Sequence, residues 1–126
     1  MLKFLRNFLL LSIFSISSVF AVGEAFDQAR FDQLLQDGQP VLIAIHADWC
    51  STCRAQSVLL KDLLKTPPYD GLQVLRVDFD KQKEVVRAFK ARTQSTLIVF
   101  KNGKEVDRSI ADTNMDSVIT MLRKAL

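Results

Sequence analysis

Five consecutive apolar residues, Val41-Leu42-Ile43-Ala44-Ile45, do most to narrow what this chain can fold into. A strand with one wet face alternates apolar and polar residues, whereas an unbroken apolar run of strand length has to be covered on both faces, as in a parallel sheet between layers of helices. Pro40 prevents a preceding helix from running on into the segment. The run leads directly into His46-Ala47-Asp48-Trp49-Cys50-Ser51-Thr52-Cys53. The rest of the chain must then supply helices for two faces.

The patterning supplies them. Phe26 to Gln36 reads as a helix, with Phe31, Leu34 and Leu35 at helical spacing and Gly38 as its stop. From about Cys50 to Leu64 the pattern is again helical, with Val58, Leu59, Leu60 and Leu63 as its apolar side, until Thr66-Pro67-Pro68-Tyr69-Asp70-Gly71 breaks it. A strand follows from Leu72 to Phe79, with Leu75, Val77 and Phe79 on one alternate set, and then a helix from Lys81 to Ala91 that buries Val85, Val86 and Phe89. Thr96-Leu97-Ile98-Val99-Phe100 is a further strand, turned back by Asn102-Gly103, a strong two-residue hairpin signal, into a return strand over Lys104 to Ile110. A last helix starts near Asn114, capped by Thr113 with Asp116 three residues on, and carries Met115, Val118, Ile119 and Leu122 on one face. The order α-β-α-β-α-β-β-α predicts an α/β fold: a parallel unit with right-handed crossovers and an antiparallel strand added at one edge.

The first residues belong to a different problem. Lys3 and Arg6 precede an apolar run from Phe8 to Val22, and Val19-Phe20-Ala21 offers a small-residue cleavage site. That is the layout of a secretory signal, so residues 1–21 are expected to be a signal peptide and residues 22–126 the folded domain. Retained, the segment would anchor the protein to a membrane, although Ser12, Ser15, Ser17 and Ser18 interrupt it. Cleavage leaves 126 − 21 = 105 residues, and loss of Lys3 and Arg6 takes the 17 basic residues to 15 against 14 acidic ones, a net charge of +1. With no basic stripe carrying interleaved aromatics, nucleic-acid binding has no support.

Cys50 and Cys53 are the only cysteines in the sequence and stand three apart. A zinc knuckle would call for a second Cys or His pair, and a purely structural disulfide across so small a loop would remove little entropy from the unfolded chain. The favoured reading is a dithiol that cycles with a disulfide. Cys50 falls where the C-terminal end of a buried strand meets the N-terminus of a helix, the place where sites gather in open α/β sheets. Free backbone N–H groups and the positive end of the helix dipole stabilise a thiolate there. Cys53, one turn later on the same side, is placed to attack a mixed disulfide on Cys50.

Strand, Ala-Asp-Trp-Cys-x-x-Cys, helix, strand, helix, Thr-Leu-Ile-Val-Phe-Lys-Asn-Gly hairpin and terminal helix together resemble the thioredoxin family over essentially all of residues 22–126. With the export signal, the chain is similar to periplasmic thioredoxin-like thiol–disulfide oxidoreductases. The resemblance implies a thioredoxin-like fold, a central mixed sheet flanked by helices. It makes Cys50 the nucleophile, Cys53 the resolving thiol and Trp49 the aromatic bordering the substrate surface, and assigns the Ser95-Thr96 loop to substrate contact. It implies no cofactor beyond the Cys50-Cys53 disulfide. The partners it implies are protein thiols or disulfides and a redox partner protein, met by a monomer acting as reductant or electron carrier.

Three positions depart from the family's pattern. Ser51-Thr52 stands between the cysteines in place of the frequent Gly-Pro, Ala44 occupies the place of a buried acid that moves a proton from the resolving thiol, and Ser95 occupies the place of a cis-proline. A cis bond before a residue other than proline costs about 2.5–4 kcal/mol, so Gln94-Ser95 is expected to be trans. His46, the lone histidine, lies two residues beyond Ala44 on the same strand face, about 7 Å nearer the cysteines, and is a candidate for proton transfer. Loss of the proline also removes a guard over the thiols, which the family resemblance suggests can admit a metal; this opens an alternative, a metal-binding or metallochaperone module using Cys50, Cys53 and His46. A redox-inert interaction module that kept the fold is the third class.

Overall fold

The computed structural model describes residues 21–126, so the expected signal segment lies outside the described residues except for Ala21. The elements are β1 (Glu24–Ala25), α1 (Gln28–Gln36), β2 (Val41–His46), α2 (Ser51–Leu63), a single 3-10 turn (Tyr69–Gly71), β3 (Gln73–Asp78), α3 (Lys83–Ala88), β4 (Thr96–Lys101), β5 (Lys104–Ile110) and α4 (Met115–Arg123). They build one five-stranded mixed sheet in the order β1-β3-β2-β4-β5.

β2 is the central strand and is buried at all six positions, as its unbroken apolar run requires. Its side chains divide between two cores. Val41, Ile43 and Ile45 pack with Phe26, Phe31 and Leu34 from the α1 side and Val86 from α3. Leu42 and Ala44 pack with Leu60 of α2 and with Val118, Met121 and Leu122 of α4.

Strand direction departs from the sequence reading at β4. β1, β3 and β2 run parallel, with Glu24 opposite Leu75 and Ile43 opposite Leu75 on its other side. β4, however, is antiparallel to β2, so the antiparallel part of the sheet begins one strand earlier than the hairpin. The six residues of α3 rise only about 9 Å, whereas a six-residue strand runs about 20 Å. After β3 the chain therefore does not travel back along the sheet, and β4 starts at the end where β3 stopped. This brings Ser95 and Thr96 beside the C-terminal end of β2, with Thr96 opposite Ile45.

The hairpin follows its sequence signal: Asn102 and Gly103 both have positive φ, 50° and 77°, as a tight β4–β5 turn demands. β1 has no periodicity to announce it and is held by two pairs to β3. Gly23 before it has φ 88°, and a Cβ there would lie 2.6 Å from Cγ1 of Val74, so only glycine lets the chain approach β3 this closely.

Three smaller expectations are corrected. α4 is capped by Asn114, whose side chain accepts from the Ser117 N–H, and not by Thr113. Val58 is exposed, and the buried face of α2 is Cys53, Gln56, Ser57 and Leu60. Met115 is also exposed, and Met121 takes its place on the buried face of α4. In both helices the face is set by where the helix must meet the sheet, a rotation that an apolar count over one or two turns does not fix.

Candidate active site

Cys50 caps α2: it has extended backbone, φ −86° and ψ 114°, and its Sγ accepts the Cys53 N–H at 3.2 Å. A sulfur in the cap position satisfies a backbone donor that the first helical turn would leave free. Both cysteines are reduced and nearly enclosed, Cys50 6% and Cys53 1% exposed. They cluster with Ala47 and Phe79.

Ser95 completes the pair. Its Oγ stands 3.2 Å from Cys50 Sγ and 3.1 Å from Cys53 Sγ, so a single hydroxyl contacts both sulfurs. The Gln94–Ser95 peptide is trans, since the one cis bond among the described residues is Pro67–Pro68. The chain instead turns toward the thiols by placing Ser95 in the left-handed region, φ 63°. A non-glycine residue there stores about 1–3 kcal/mol of strain, which its surroundings must hold in place. The Ser95 N–H donates to the Ile45 carbonyl at 2.8 Å, and its carbonyl accepts from Ala111 N–H at 2.9 Å and from Gln56 Nε2 at 3.1 Å. Gln56 Nε2 also donates to the Asp112 carbonyl at 3.0 Å, so this buried amide ties the β4 entry to the β5 exit. Ala111, between them, has φ 55°, a second left-handed residue at the same rim.

These contacts treat the two thiols differently. Burial pushes the Cys50 thiol up, but hydrogen bonds from the Cys53 side chain, Ser95, the Cys53 backbone and Gln94 outweigh it and hold Cys50 below the ordinary cysteine range. For Cys53 burial dominates, the Cys50 sulfur adds to it, and the thiol is pushed up. The outer cysteine is thus the more readily ionised of the two and the inner one the less.

The other expected site residues are placed as follows. Trp49 is 61% exposed next to Cys50, and its indole N–H donates to Asp80 Oδ2 at 2.7 Å. Thr96 is buried and its hydroxyl donates to the Thr93 carbonyl at 2.8 Å, so its side chain holds the loop. His46 is buried with Nε2 2.9 Å from Asp48 Oδ1. It lines a small cavity beneath Cys53 together with Ala44, Gln56, Ser57 and Arg76. Among the described residues no three His, Cys, Asp or Glu side chains converge to hold a metal ion, so Cys50, Cys53 and His46 do not form the ligand set of the alternative reading.

Gln56 and Asp80 were not among the expected site residues. Gln56 had a signal: it follows Cys53 by three residues and so shares its helix face, where an amide has to find buried partners. Asp80 had none, because its link to Trp49 spans 31 residues and three elements, α2, the 3-10 turn and β3.

A reduced dithiol at a helix N-terminus, at the C-terminal end of a buried central strand, with one thiol displaced toward ionisation and the other away from it, defines a protein of thiol–disulfide exchange. The family model described as Thioredoxin matches residues 22–124, and the chain belongs to the thioredoxin family. It is 34% identical over 101 residues to a thioredoxin of Chlamydia trachomatis, covering 80% of this chain and 96% of that protein. Among solved structures it is similar to Trxlp from Edwardsiella tarda, at 39% identity and TM-score 0.77, covering 80% of this chain and 98% of the other. It is also similar to a Plasmodium falciparum thioredoxin, at 25% identity and TM-score 0.69, covering 82% and 99%. The chain is a protein-disulfide oxidoreductase whose C-x-x-C is Cys50 and Cys53. Family membership carries protein thiols and disulfides as substrates and a reductase as partner, and the cysteine pair does the redox work without a further cofactor.

Proposed function

We propose that this protein is exported and serves there as a monomeric reductant or electron carrier for protein disulfides, Cys50 attacking the substrate and Cys53 resolving the mixed disulfide. The observation that carries the division of labour is the opposite displacement of the two thiols, Cys50 down and Cys53 up, within one helix-capping pair. A thiolate attacks a disulfide and a thiol does not, so Cys50, the more exposed and the more readily ionised of the two, is the nucleophile. Trp49 borders the surface where the substrate sits, with the Ser95-Thr96 loop on the other side of the thiols.

Export is supported by Lys3 and Arg6 ahead of the apolar run and by Ala21 at the cleavage point. The family match starts at residue 22, directly after that point. In an oxidising compartment a dithiol of this kind stays reduced only with a dedicated electron donor, so the partner is a reductase of the same compartment or of its bounding membrane. Retention of residues 1–21 would fix the protein to that membrane.

Trapping tests the reading. Cys53→Ala, expressed from the full chain, is expected to accumulate mixed disulfides through Cys50 in the exported fraction, on a protein whose N-terminus is Val22. Absence of any trapped species would remove the exchange role, and recovery of uncleaved protein in the cytosol would remove export. Equilibration with glutathione is expected to give a potential nearer the ~−270 mV of a reducing dithiol than the ~−120 mV of a strong oxidant. A value at the oxidising end would reverse the proposed direction.

A further inference from the structure

We propose that the Ser95 hydroxyl is the proton relay of the exchange reaction, carrying the proton of the Cys53 thiol toward the sulfur that departs from Cys50. The inference rests on the assignment of Cys50 as nucleophile and Cys53 as resolving thiol.

A hydroxyl has one hydrogen to donate and two lone pairs to accept with. At 3.2 Å from Cys50 Sγ and 3.1 Å from Cys53 Sγ, Ser95 Oγ is in place to accept from the Cys53 S–H while donating to the Cys50 sulfur. Ser95 is 3% exposed, so this hydroxyl sits where bulk water does not reach the resolving thiol. Its position is fixed by three backbone bonds, to Ile45, Ala111 and Gln56, which hold the left-handed conformation.

The other groups around Cys53 are engaged elsewhere or lack the chemistry. On β2, Ala44 has no proton to give and His46 Nε2 is bonded to Asp48. On β3, Arg76 donates to the Gly23 carbonyl at 2.8 Å, and a guanidinium does not deprotonate. On α2, Gln56 is committed to two carbonyls, and among the described residues Ser57 has no hydrogen bond to either sulfur. Beyond β5, Asp112 meets the site through its backbone, and its carboxylate accepts from Asn114 N–H and the Ser117 hydroxyl.

The step balances as follows. The Cys50 thiolate attacks a substrate disulfide R–S–S–R′, forming Cys50–S–S–R and releasing R′S⁻, which takes a proton from solvent. The Cys53 sulfur then attacks Cys50 Sγ as its proton passes to Ser95 Oγ. The bond from Cys50 to the substrate sulfur breaks, that sulfur leaves with the electron pair, and the original hydroxyl proton of Ser95 goes to it. Ser95 ends as a hydroxyl again, the dithiol has become the Cys50–Cys53 disulfide, and two electrons have reduced the substrate to two thiols.

Stopped-flow mixing of the reduced protein with oxidised glutathione, followed by Trp49 fluorescence and by mass analysis of acid-quenched samples, separates formation of the Cys50–glutathione adduct from its resolution. Ser95→Ala and Ser95→Gly are expected to slow resolution at pH 7 on the order of 10²-fold, the usual worth of a positioned proton-transfer group. The deficit should shrink as pH rises through the thiol range, where Cys53 ionises unaided. The two variants differ in how easily they adopt positive φ, so an equal loss in both assigns the effect to the hydroxyl, and a loss in alanine alone would assign it to loop conformation and overturn the relay. Resolution at the parent rate and pH profile in both variants would overturn it too, as would a profile that moves with His46→Ala and not with Ser95→Ala. If the parent protein forms no adduct on Cys50, it is the exchange reading beneath the proposal that fails.

Discussion

The two faces of the sheet share strand β2 but are built differently. On the face covered by α1 and α3, Val41, Ile43 and Ile45 meet a cluster of four phenylalanines, Phe26, Phe31, Phe89 and Phe100, with ring centroids 5.2–6.1 Å apart and mostly edge-to-face. On the face covered by α2 and α4 the packing is aliphatic apart from Tyr69, and toward the C-terminal end of β2 it becomes polar: His46, Gln56 and Ser57 are all buried around a small cavity beneath Cys53. The first face carries stability without chemistry. The second accepts buried polar groups and strained backbone because the thiols need them, and the dense aromatic packing on the other side of the same strand offsets that cost.

The sharpest break in this comparison is Cys50→Ala. Exchange with any disulfide substrate is expected to fall below detection in a thiol-release assay, while far-UV circular dichroism stays the parent's and urea unfolding shows only the loss of the helix cap, about 0.5–2 kcal/mol. A coincident loss of fold would mean that the two faces are not separable.

Phe31→Ala tests the other side. Phe31 packs against three of the other rings, and deletion of a buried phenylalanine costs about 3–5 kcal/mol in urea unfolding. The pH profile of Cys50 alkylation by iodoacetamide should not move. A shifted profile would show that the aromatic face also sets the thiolate.

Gln56→Leu mixes the two effects in one residue. The Asp112 carbonyl loses its amide donor while Ser95 O keeps Ala111, so the expected destabilisation is about 1–3 kcal/mol. Alkylation of Cys50 should require a higher pH, because a loosened Ser95 donates less well to the thiolate. Unchanged alkylation with reduced stability would confine Gln56 to packing.

The smallest effect belongs to the rim between β5 and α4. The hydrogen bond and charge of Lys124, 2.8 Å from Asp107, hold the Asp107 carboxyl below the ordinary carboxylate range against the opposing pull of burial. A carboxylate lowered by folding contributes stability above its unfolded pKa and loses that contribution as pH falls through its folded one. Lys124→Met should therefore lower stability near neutral pH and flatten its fall toward acid, by no more than ~0.5 kcal/mol for a partly exposed pair. The alkylation profile of Cys50 should stay where it is.

Much of this was legible in the residues. The apolar run made β2 central, Asn102-Gly103 placed the β4–β5 turn, and the spacing of Cys50 and Cys53 named the chemistry. What escaped had no short-range signal. β1 is two residues long and has no period to read, and the rotation that buries Gln56 and leaves Val58 exposed is decided by where Cys53 must point. The substitutions at Ala44 and Ser95 were visible as departures, but their consequence was not. An alanine on β2 and a hydroxyl in the β4 loop bear on one thiol only because the two segments meet at Cys53.

By itself the sequence determined which elements form and which atoms react, because hydrophobic period, turn chemistry and a dithiol spacing act over a few residues at a time. Tertiary structure alone decided that β4 runs antiparallel to β2, that Ser95 bends into the left-handed region against Ile45, Gln56 and Ala111, and that one hydroxyl stands within hydrogen-bonding distance of both sulfurs. Apart from the Ala111 contact across the β4–β5 hairpin, those facts depend on groups more than 35 residues apart, brought together by the short α3 connection. Contacts of that range are set by how whole elements pack, and so they leave no trace in local patterning.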